Sequence, residues 1–195
     1  MQMDAQDAAA VAQVLAGDRD AFRLLVERHT RAVFRLAYRL TGNQTEADDV
    51  VQETFLRAYA KLATYQHQAS FKTWLCRIAV NYSMDMMAKR KHETAMPTMP
   101  GGEGEPDREI EVQSGRPGPE RMVLSVEMQG AMQRGINSMT DVERTAFVMR
   151  HFEGCSIEEI SAVTHQSITS AKNTVFRAVQ KMRRSLSPFV TENAG

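Results

Sequence analysis

Apolar residues recur at three- and four-residue spacings through the first half of the chain, which is the pattern of amphipathic helices. Asp20 predicts the cap of a first long helix, and Gly42 predicts its end. The segment 45–48, Thr-Glu-Ala-Asp, resembles a capping box and predicts the start of a second helix. Ser70 predicts the cap of a third helix, which runs into basic residues at 89–91. The apolar stripes of the three helices are Phe22, Leu25, Val26, Val33, Phe34, Ala37 and Leu40; Val51, Phe55, Ala58 and Leu62; and Phe71, Trp74, Leu75, Ile78 and Tyr82.

A change of composition between residues 94 and 119 predicts a linker. Five of the six prolines lie between Met96 and Pro119, together with five glycines and few large apolar groups. Such a segment cannot bury enough apolar surface to offset the entropy lost on ordering it. We therefore expect an extended acidic linker at 94–119 between helical domains at 8–93 and 120–187. Its acidic residues are Glu103, Glu105, Asp107, Glu109 and Glu111.

The second half of the chain also predicts helices. One is indicated at 120–132, and two capping boxes follow, Thr140–Glu143 and Ser156–Glu159. The second box opens a short helix that the pair at 165–166, His-Gln, interrupts before a last helix begins. No convincing strand pattern and no repeat occur along the sequence. The expected fold class is therefore all-α, with two small helical domains joined by a flexible acidic linker.

The last two predicted helices have the pattern of a helix-turn-helix. The short helix is expected to pack against the last one through Ile160, Val163 and Ile168, with the small Ser161 at the crossing. The last helix begins at Ser167 or Thr169 in this interpretation. Its N-terminal half carries side chains of the types that contact base edges and phosphates in the major groove, and no carboxylate. These residues are Ser170, Lys172, Asn173, Phe176 and Arg177.

The charges of the chain are divided between segments, although 24 basic and 24 acidic residues give a net charge of zero. Residues 165–190 contain five Lys or Arg and no acidic residue, and residues 72–92 contain five against Asp85 alone. Local patches decide what a surface attracts, so the zero total does not exclude a nucleic-acid partner. The sequence has no membrane-length apolar run and no signal-peptide pattern, which predicts a cytoplasmic protein.

No arrangement typical of an active site or a cofactor site occurs in the sequence. The five histidines lack metal-ligand spacing, and Cys76 and Cys155 are isolated, so we expect no zinc. No Ser/His/Asp set, paired-carboxylate pocket or nucleotide-binding loop is present. We expect no cofactor, and a protein that is not an enzyme.

Residues 47–59, Ala-Asp-Asp-Val-Val-Gln-Glu-Thr-Phe-Leu-Arg-Ala-Tyr, resemble the polymerase-binding helix of bacterial sigma factors. Residues 71–81, Phe-Lys-Thr-Trp-Leu-Cys-Arg-Ile-Ala-Val-Asn, resemble the helix with which those proteins melt and read the promoter −10 element. With the Glu-Glu-Ile at 158–160, the order and spacing are those of extracytoplasmic-function (ECF) sigma factors. The resemblance covers roughly residues 8–186.

This resemblance implies partners and roles for individual residues. It implies binding to the RNA polymerase core through its β′ clamp helices and β flap, recognition of promoter DNA, strand opening, and a monomer when free. It also implies an anti-sigma factor that holds the protein inactive, and a linker that enters the polymerase near its active centre. The implied polymerase-binding residues are Asp48, Asp49, Gln52 and Glu53. The implied −10 residues are Tyr65, Gln66 and His67 in a loop, with Asn81, Lys89 and Arg90, and the −35 residues are those of the last helix given above.

Two alternatives stay open at the level of the sequence. Composition alone favours an ordinary solvated acidic face at 48–53, and a conventional helix-turn-helix regulator with a helical sensing or dimerisation domain would also carry the last helix. Phe55 and Trp74 are expected in the core, whereas Leu56 fits either the core or an interface. His165 and Thr169 stand where the family usually has glycine, so family promoter sequences cannot be carried over to this chain.

Overall fold

A computed structural model of the chain describes residues 5–67, 69–95 and 119–190, and every regular element in these ranges is helical. The chain divides into two compact units, Met1–Gly101 and Gly102–Gly195. The predicted all-α fold is confirmed, while the domain limits 8–93 and 120–187 stay predictions. Most of the predicted linker, residues 96–118 with its five acidic residues, lies outside the described residues. Within the described ranges, no helix has both the length and the hydropathy needed to cross a membrane.

The first unit is a bundle of four helices and a short 3-10 helix (Leu62–Thr64). The four helices are α1 (Ala5–Leu15), α2 (Ala21–Thr41), α3 (Gln44–Ala60) and α4 (Phe71–Ala95). Helix α2 packs against the other three, and the core of the unit includes Leu25, Leu36, Leu40, Val50 and Leu75.

A buried charge joins α1 to α2. Asp7 is almost fully buried and accepts from Arg28 Nη1 at 2.8 Å, and its other oxygen lies 2.9 Å from His29 Nε2. A buried carboxylate is stable only when it is paired and hydrogen-bonded, so these two contacts fix where α1 lies on α2.

Two of the predicted helix caps in this unit are wrong. Asp20 has helical dihedral angles and caps nothing, because Asp18 Oδ1 accepts the amides of Asp20 and Ala21 at 3.1 and 3.3 Å. Similarly, α3 is capped by Asn43, whose side chain accepts the Glu46 amide at 2.9 Å, so no box forms at 45–48.

Other predicted helix ends in the first unit are confirmed. Ser70 Oγ accepts the Thr73 amide at 3.1 Å at the start of α4. Gly42 ends α2 with a φ of 72°, a left-handed conformation that favours glycine.

The second unit consists of α5 (Pro119–Asn137), α6 (Asp141–His151), α7 (Ile157–Thr164) and α8 (Ile168–Val190). Both predicted capping boxes are present, at the starts of α6 and α7. A Cβ on Gly135 would meet Met182 Sδ at 2.9 Å, so glycine allows the close approach of α5 to α8. One cluster of the core contains Ile136, Met139, Phe147, Ala178 and Met182.

Two residues predicted to lie in the core, Ile168 and Trp74, are less buried than expected. Ile160 and Val163 are buried as expected, but Ile168 is 47% exposed. Ile168 is the first residue of α8, so its side chain projects back beyond the helix start, and Ala171 occupies the core one turn later. Trp74 is only partly buried, because it lies at the edge of the stripe whose centre is Phe71 and Leu75.

Candidate nucleic-acid and partner interfaces

The predicted acidic residues lie together on the exposed side of α3. Asp48, Asp49 and Gln52 are exposed and Glu53 is half-buried, whereas Val50 on the opposite side is fully buried. The spacing of one and four residues brings these four side chains to one helix face. We call them the acidic face of α3. The carboxylates of Asp48 and Asp49 and the amide of Gln52 point outward on this face, and their role in polymerase binding stays a prediction.

Glu53 has a second role within the bundle. Its Oε1 accepts from Arg57 Nε at 2.6 Å, and the Arg57 guanidinium lies 4.7 Å from the centre of the Tyr82 ring on α4. Glu53 therefore helps to hold α3 against α4, and only part of its carboxylate faces outward.

Exposed apolar side chains continue the acidic face toward the end of α3. Leu56 is 66% exposed and Tyr59 is 41% exposed, while Phe55 is buried as predicted. Tyr59 packs edge-on against Phe22 at 5.0 Å between ring centres. Exposed large apolar groups beside charges are typical of a protein-binding surface. Tyr59 was not predicted as a site residue, although its spacing of seven residues from Gln52 places both on one side of α3.

Four rings meet where the loop after α3 reaches the start of α4. Tyr65 lies 4.4 Å from His67, 5.2 Å from Trp74 and 5.6 Å from Phe71, measured between ring centres. We call Tyr65, His67, Phe71 and Trp74 the aromatic cluster. Tyr65 is only 7% exposed and donates its hydroxyl to Ala69 O at 2.7 Å. Burial, and secondarily the charge of Asp7, raises the pKa of Tyr65 above its ordinary value, so the hydroxyl stays a donor.

The loop over this cluster exposes two of the predicted −10 residues. Gln66 and His67 are exposed, and His67 has a φ of 56°. A left-handed non-glycine residue is uncommon and occurs often at functional sites. Gln68 lies outside the described residues.

Helix α4 places the remaining −10 residues on two different sides. Asn81 is exposed and lies seven residues after Trp74, about two helical turns, so both occupy one side of α4. Arg90 lies nine residues after Asn81, about two and a half turns, on the opposite side. Its guanidinium binds Glu46 of α3 at 2.9 and 3.2 Å. The exposed Lys89 lies eight residues after Asn81, about 80° around the helix, and so stands between the sides of Asn81 and Arg90.

The turn between α7 and α8 has the compact geometry of a helix-turn-helix. His165 is left-handed, with a φ of 53°, and its amide donates to Ser161 O. Ser161 Oγ donates to Gln166 O at 2.6 Å, so this small residue closes the turn. Ser167, rather than Thr169, caps α8, because its Oγ accepts the Ser170 amide at 3.2 Å.

Helix α8 presents the predicted −35 residues in one group. Lys172, Asn173 and Arg177 are exposed, Phe176 is 62% exposed, and Ser170 is half-buried. All five lie in the N-terminal half of α8, the part of a recognition helix that contacts base edges. The group combines two cations, an amide, a hydroxyl and an apolar ring, which together match phosphates, base edges and a thymine methyl.

A buried carboxylate beneath α8 was not predicted as a site residue. Glu143 of α6 is 6% exposed and accepts from Lys181 Nζ at 2.6 Å, and it lies 3.4 Å from Arg177 Nε. Burial by itself raises the pKa of Glu143, but hydrogen bonds from Lys181 and the Thr140 amide outweigh it and leave that pKa below its ordinary value. The sequence marked Glu143 only as a capping residue.

Two sigma-70 family models match the chain, region 2 over residues 25–93 and region 4 over residues 129–182. The chain is also 30% identical over 176 residues to the ECF RNA polymerase sigma factor SigW of Bacillus subtilis, covering 90% of this chain and 94% of SigW. The chain belongs to the ECF sigma factors. The predicted resemblance is confirmed, and region 2 falls in the first unit and region 4 in the second.

Further relatives and solved structures agree with this assignment. The sigma-H factor of Pseudomonas aeruginosa is 30% identical over 198 aligned positions, covering 96% of this chain and 97% of the relative. The sigma factor RpoE of Bartonella quintana, solved with the anti-sigma factor NepR, matches 85% of this chain and 96% of its own at 22% identity and a TM-score of 0.61. CnrH, solved with the cytosolic domain of CnrY, matches 97% and 99% at 23% identity and a TM-score of 0.57. These two structural matches show the shared fold.

Membership in the ECF sigma factors decides between the two classes left open by the sequence. A region 2 domain stands where a conventional regulator would need its sensing or dimerisation domain, so the regulator is not favoured. Sigma factors are transcription initiation factors without enzymatic activity of their own. The acidic face and the aromatic cluster both belong to region 2, and the α7–α8 helix-turn-helix belongs to region 4.

Proposed function

We propose that this ECF sigma factor binds the RNA polymerase core through the acidic face of α3, reads and opens the −10 element at the aromatic cluster, and reads the −35 element with α8. The observation that carries the proposal is the acidic face itself. All four side chains predicted to bind polymerase project from one side of α3, exposed or half-exposed, while the other side is buried in region 2.

The chemistry of the acidic face suits a basic partner such as the β′ clamp helices. Asp48 and Asp49 lie in the first turns of α3, and both side chains are exposed to solvent. Charge matching of this kind favours fast encounter and choice of partner. Leu56 and Tyr59 then add apolar area to the same contact, which supplies affinity.

The aromatic cluster suits a base that has left the DNA stack. Extruding a base costs a few kcal/mol, and stacking on aromatic rings with hydrogen bonds to the base edge offsets that cost. Here Trp74 and His67 supply ring surface, and Gln66 and Asn81 supply amides. Lys89 is placed to hold a phosphate, whereas Arg90, on the side of α4 opposite Asn81, would contact DNA at a separate point after exchanging Glu46 for a phosphate.

In region 4, α8 is proposed to lie in the major groove of the −35 element. Arg177 and Lys172 supply bonds to guanine or phosphate, and Phe176 supplies apolar contact to a thymine methyl. We expect Arg177→Ala to weaken promoter use by roughly 1–3 kcal/mol if Arg177 contacts a base.

Control by an anti-sigma factor is the remaining part of the proposal. Both solved structures described above are complexes, that of RpoE with the anti-sigma factor NepR and that of CnrH with the cytosolic domain of CnrY. A partner that covers the acidic face and the exposed Leu56 would block polymerase binding. We propose that the free protein is a monomer, and that it acts in the cytoplasm, where polymerase and promoters are.

The test is run-off transcription with bacterial core polymerase on a pool of genomic promoter fragments, with and without this protein. We expect discrete new transcripts with the wild-type chain and at least a tenfold loss with Asp49→Lys, because the charge reversal repels the basic partner. Asp20→Lys is the matched control, since Asp20 is an exposed aspartate outside the acidic face and caps no helix. No transcript with the wild type, or equal loss with both variants, contradicts the proposal.

A further inference from the structure

Glu143 caps α6 and also reaches α8. As the third residue of α6 it accepts the Thr140 amide at its Oε2, at 3.0 Å, while Thr140 Oγ1 accepts the Glu143 amide at 3.3 Å. The capping box therefore uses one carboxylate oxygen. The same Oε2 also accepts from Lys181 at 2.6 Å, and the other oxygen, Oε1, lies 3.4 Å from Arg177 Nε.

The contact between Glu143 and Arg177 is one link in a chain of polar groups under α8. Arg177 Nη2 donates to Thr174 Oγ1 at 3.2 Å, and Thr174 Oγ1 donates to Gln166 Oε1 at 3.2 Å. Thr174 is fully buried, so this chain runs from the turn of the helix-turn-helix through the interior to α6. At its other end Lys181 also donates to Ser138 O at 2.9 Å.

These contacts involve the edge of the Arg177 guanidinium that faces the protein. The Arg177 side chain is 60% exposed, yet its Nε and one Nη face Glu143 and Thr174. A planar guanidinium with two positions fixed has one orientation left for the rest of its donors. Ordering a long side chain before binding removes part of the entropy cost of forming a specific contact.

We infer that Glu143 is a positioning residue for promoter recognition: it fixes Arg177 in one orientation on α8 and keeps Lys181 away from DNA phosphates. The first effect raises affinity for the −35 sequence that Arg177 contacts, and the second lowers affinity for other duplex DNA. Glu143 thereby widens the difference between specific and non-specific binding. The inference rests on the proposed role of α8.

The lowered pKa of Glu143 agrees with this role, because the carboxylate keeps its charge at neutral pH despite burial. Capping alone would not require that charge. A glutamine at the third helix position can also accept the cap amide, so Glu143→Gln preserves the capping box and removes the charge. Glu159 holds the equivalent position in the box of α7, where its carboxylate accepts the Ser156 amide at 2.7 Å, and Glu159→Gln is the matched control.

The experiment measures promoter binding by the holoenzyme, reconstituted from bacterial core polymerase and the full chain. The probes are a promoter fragment recovered in the run-off test and the same fragment with its −35 element scrambled. We expect Glu143→Gln to reduce the ratio of the two affinities about fivefold, and Glu159→Gln to leave it unchanged. Binding of the scrambled fragment by Glu143→Gln should also depend more steeply on salt, by about one counterion, because Lys181 becomes free to contact phosphates.

A double-mutant cycle separates positioning from a purely structural effect. In an Arg177→Ala background, Glu143→Gln should reduce the ratio less than it does in the wild-type background, because no arginine remains to be positioned and only the release of Lys181 is left. The inference is overturned if Glu143→Gln leaves the ratio unchanged, weakens both fragments equally, or lowers the ratio as much without Arg177 as with it. If the wild-type chain directs no transcription at all, the proposed sigma function fails first, and the positioning role with it.

Discussion

At the scale of single residues, the charged groups proposed to bind DNA differ in what already holds them. Arg90 is bound to Glu46, but this ion pair is partly exposed to solvent. Exposed pairs contribute about 0–1 kcal/mol, so Arg90 can exchange Glu46 for a phosphate at little cost. Arg177 differs, because one of its partners, Glu143, is buried.

A buried hydroxyl in α3 allows a stability prediction at the same scale. Thr54 is fully buried, and among the described residues no group forms a hydrogen bond with its Oγ1. An unsatisfied buried hydroxyl costs about 1–3 kcal/mol, so we expect Thr54→Val to stabilise region 2 by about 1 kcal/mol. Amide hydrogen exchange in α3 measures this change.

Thr41→Val is the matched control for that prediction. Thr41 is also buried, but its Oγ1 donates to Asn43 O at 3.1 Å and accepts the Asn43 amide at 3.3 Å. Its replacement should destabilise the end of α2 by about 1 kcal/mol. Equal destabilisation by both substitutions would show that Thr54 has a partner in solution.

At the scale of elements, the sequence predicts a helix end well where the capping pattern is complete. Thr140 and Ser156 each have a glutamate three residues later, and both boxes form. The prediction for Asp20 failed because a second candidate, Asp18, lies two residues away and accepts the amides of Asp20 and Ala21. The sequence offers both aspartates as caps and does not distinguish between them.

In the candidate sites, the sequence predicts features within one helix but not contacts between helices. The acidic face of α3 was predictable because helical spacing alone groups Asp48 with Gln52. The pairs Arg90–Glu46 and Lys181–Glu143 join residues 44 and 38 positions apart, and no periodicity of the chain reports such distances. What the sequence misses is therefore contact between helices.

Helices α2 and α7 end at residues with a left-handed backbone, Gly42 and His165, and these ends allow a prediction about helix stability. His165 has a φ of 53° and carries a Cβ, which costs about 1–2 kcal/mol in a left-handed conformation. We expect His165→Gly to stabilise region 4 by about 0.5–1 kcal/mol, since the greater freedom of unfolded glycine offsets part of the gain. Urea unfolding followed by NMR signals of α7 and α8 measures it.

Gly42→Ala makes the converse test. Gly42 has a φ of 72°, and nothing lies within 4 Å of an added Cβ, so only backbone conformation is changed. Gly42→Ala should destabilise region 2 by about 1 kcal/mol. The explanation from backbone strain is wrong if His165→Gly destabilises region 4.

At the scale of the whole molecule, acidic and basic residues are grouped on particular helices. The acidic face lies on α3, whereas residues 165–190, which include α8, carry five Lys or Arg and no acidic residue. The net charge of zero therefore hides two surfaces of opposite charge with different proposed partners. An acidic face repels DNA, and a basic helix would repel a basic partner of the acidic face, so each surface disfavours the partner proposed for the other.

The basic surface of α8 predicts how salt affects DNA binding when single residues of this helix are substituted. Lys172→Ala should weaken holoenzyme binding to all promoter sequences alike and reduce the salt slope by about one, as expected for a lost phosphate contact. Asn173→Ala, its exposed neighbour, should change base preference without changing the slope. Binding titrations at several salt concentrations compare the two variants. A base-dependent loss with Lys172→Ala would mean that Lys172 contacts a base edge.

The position of Trp74 has a practical consequence. It is the only tryptophan of the chain, and it lies within 5.2 Å of Tyr65 and 5.6 Å of Phe71 between ring centres. A fluorine placed on this indole during expression would give one ¹⁹F resonance, and unlabelled polymerase and DNA would be invisible beside it. A base stacking in the aromatic cluster would shift that resonance through its ring current. The protein thus carries a natural reporter of promoter opening at the place where opening is proposed to occur.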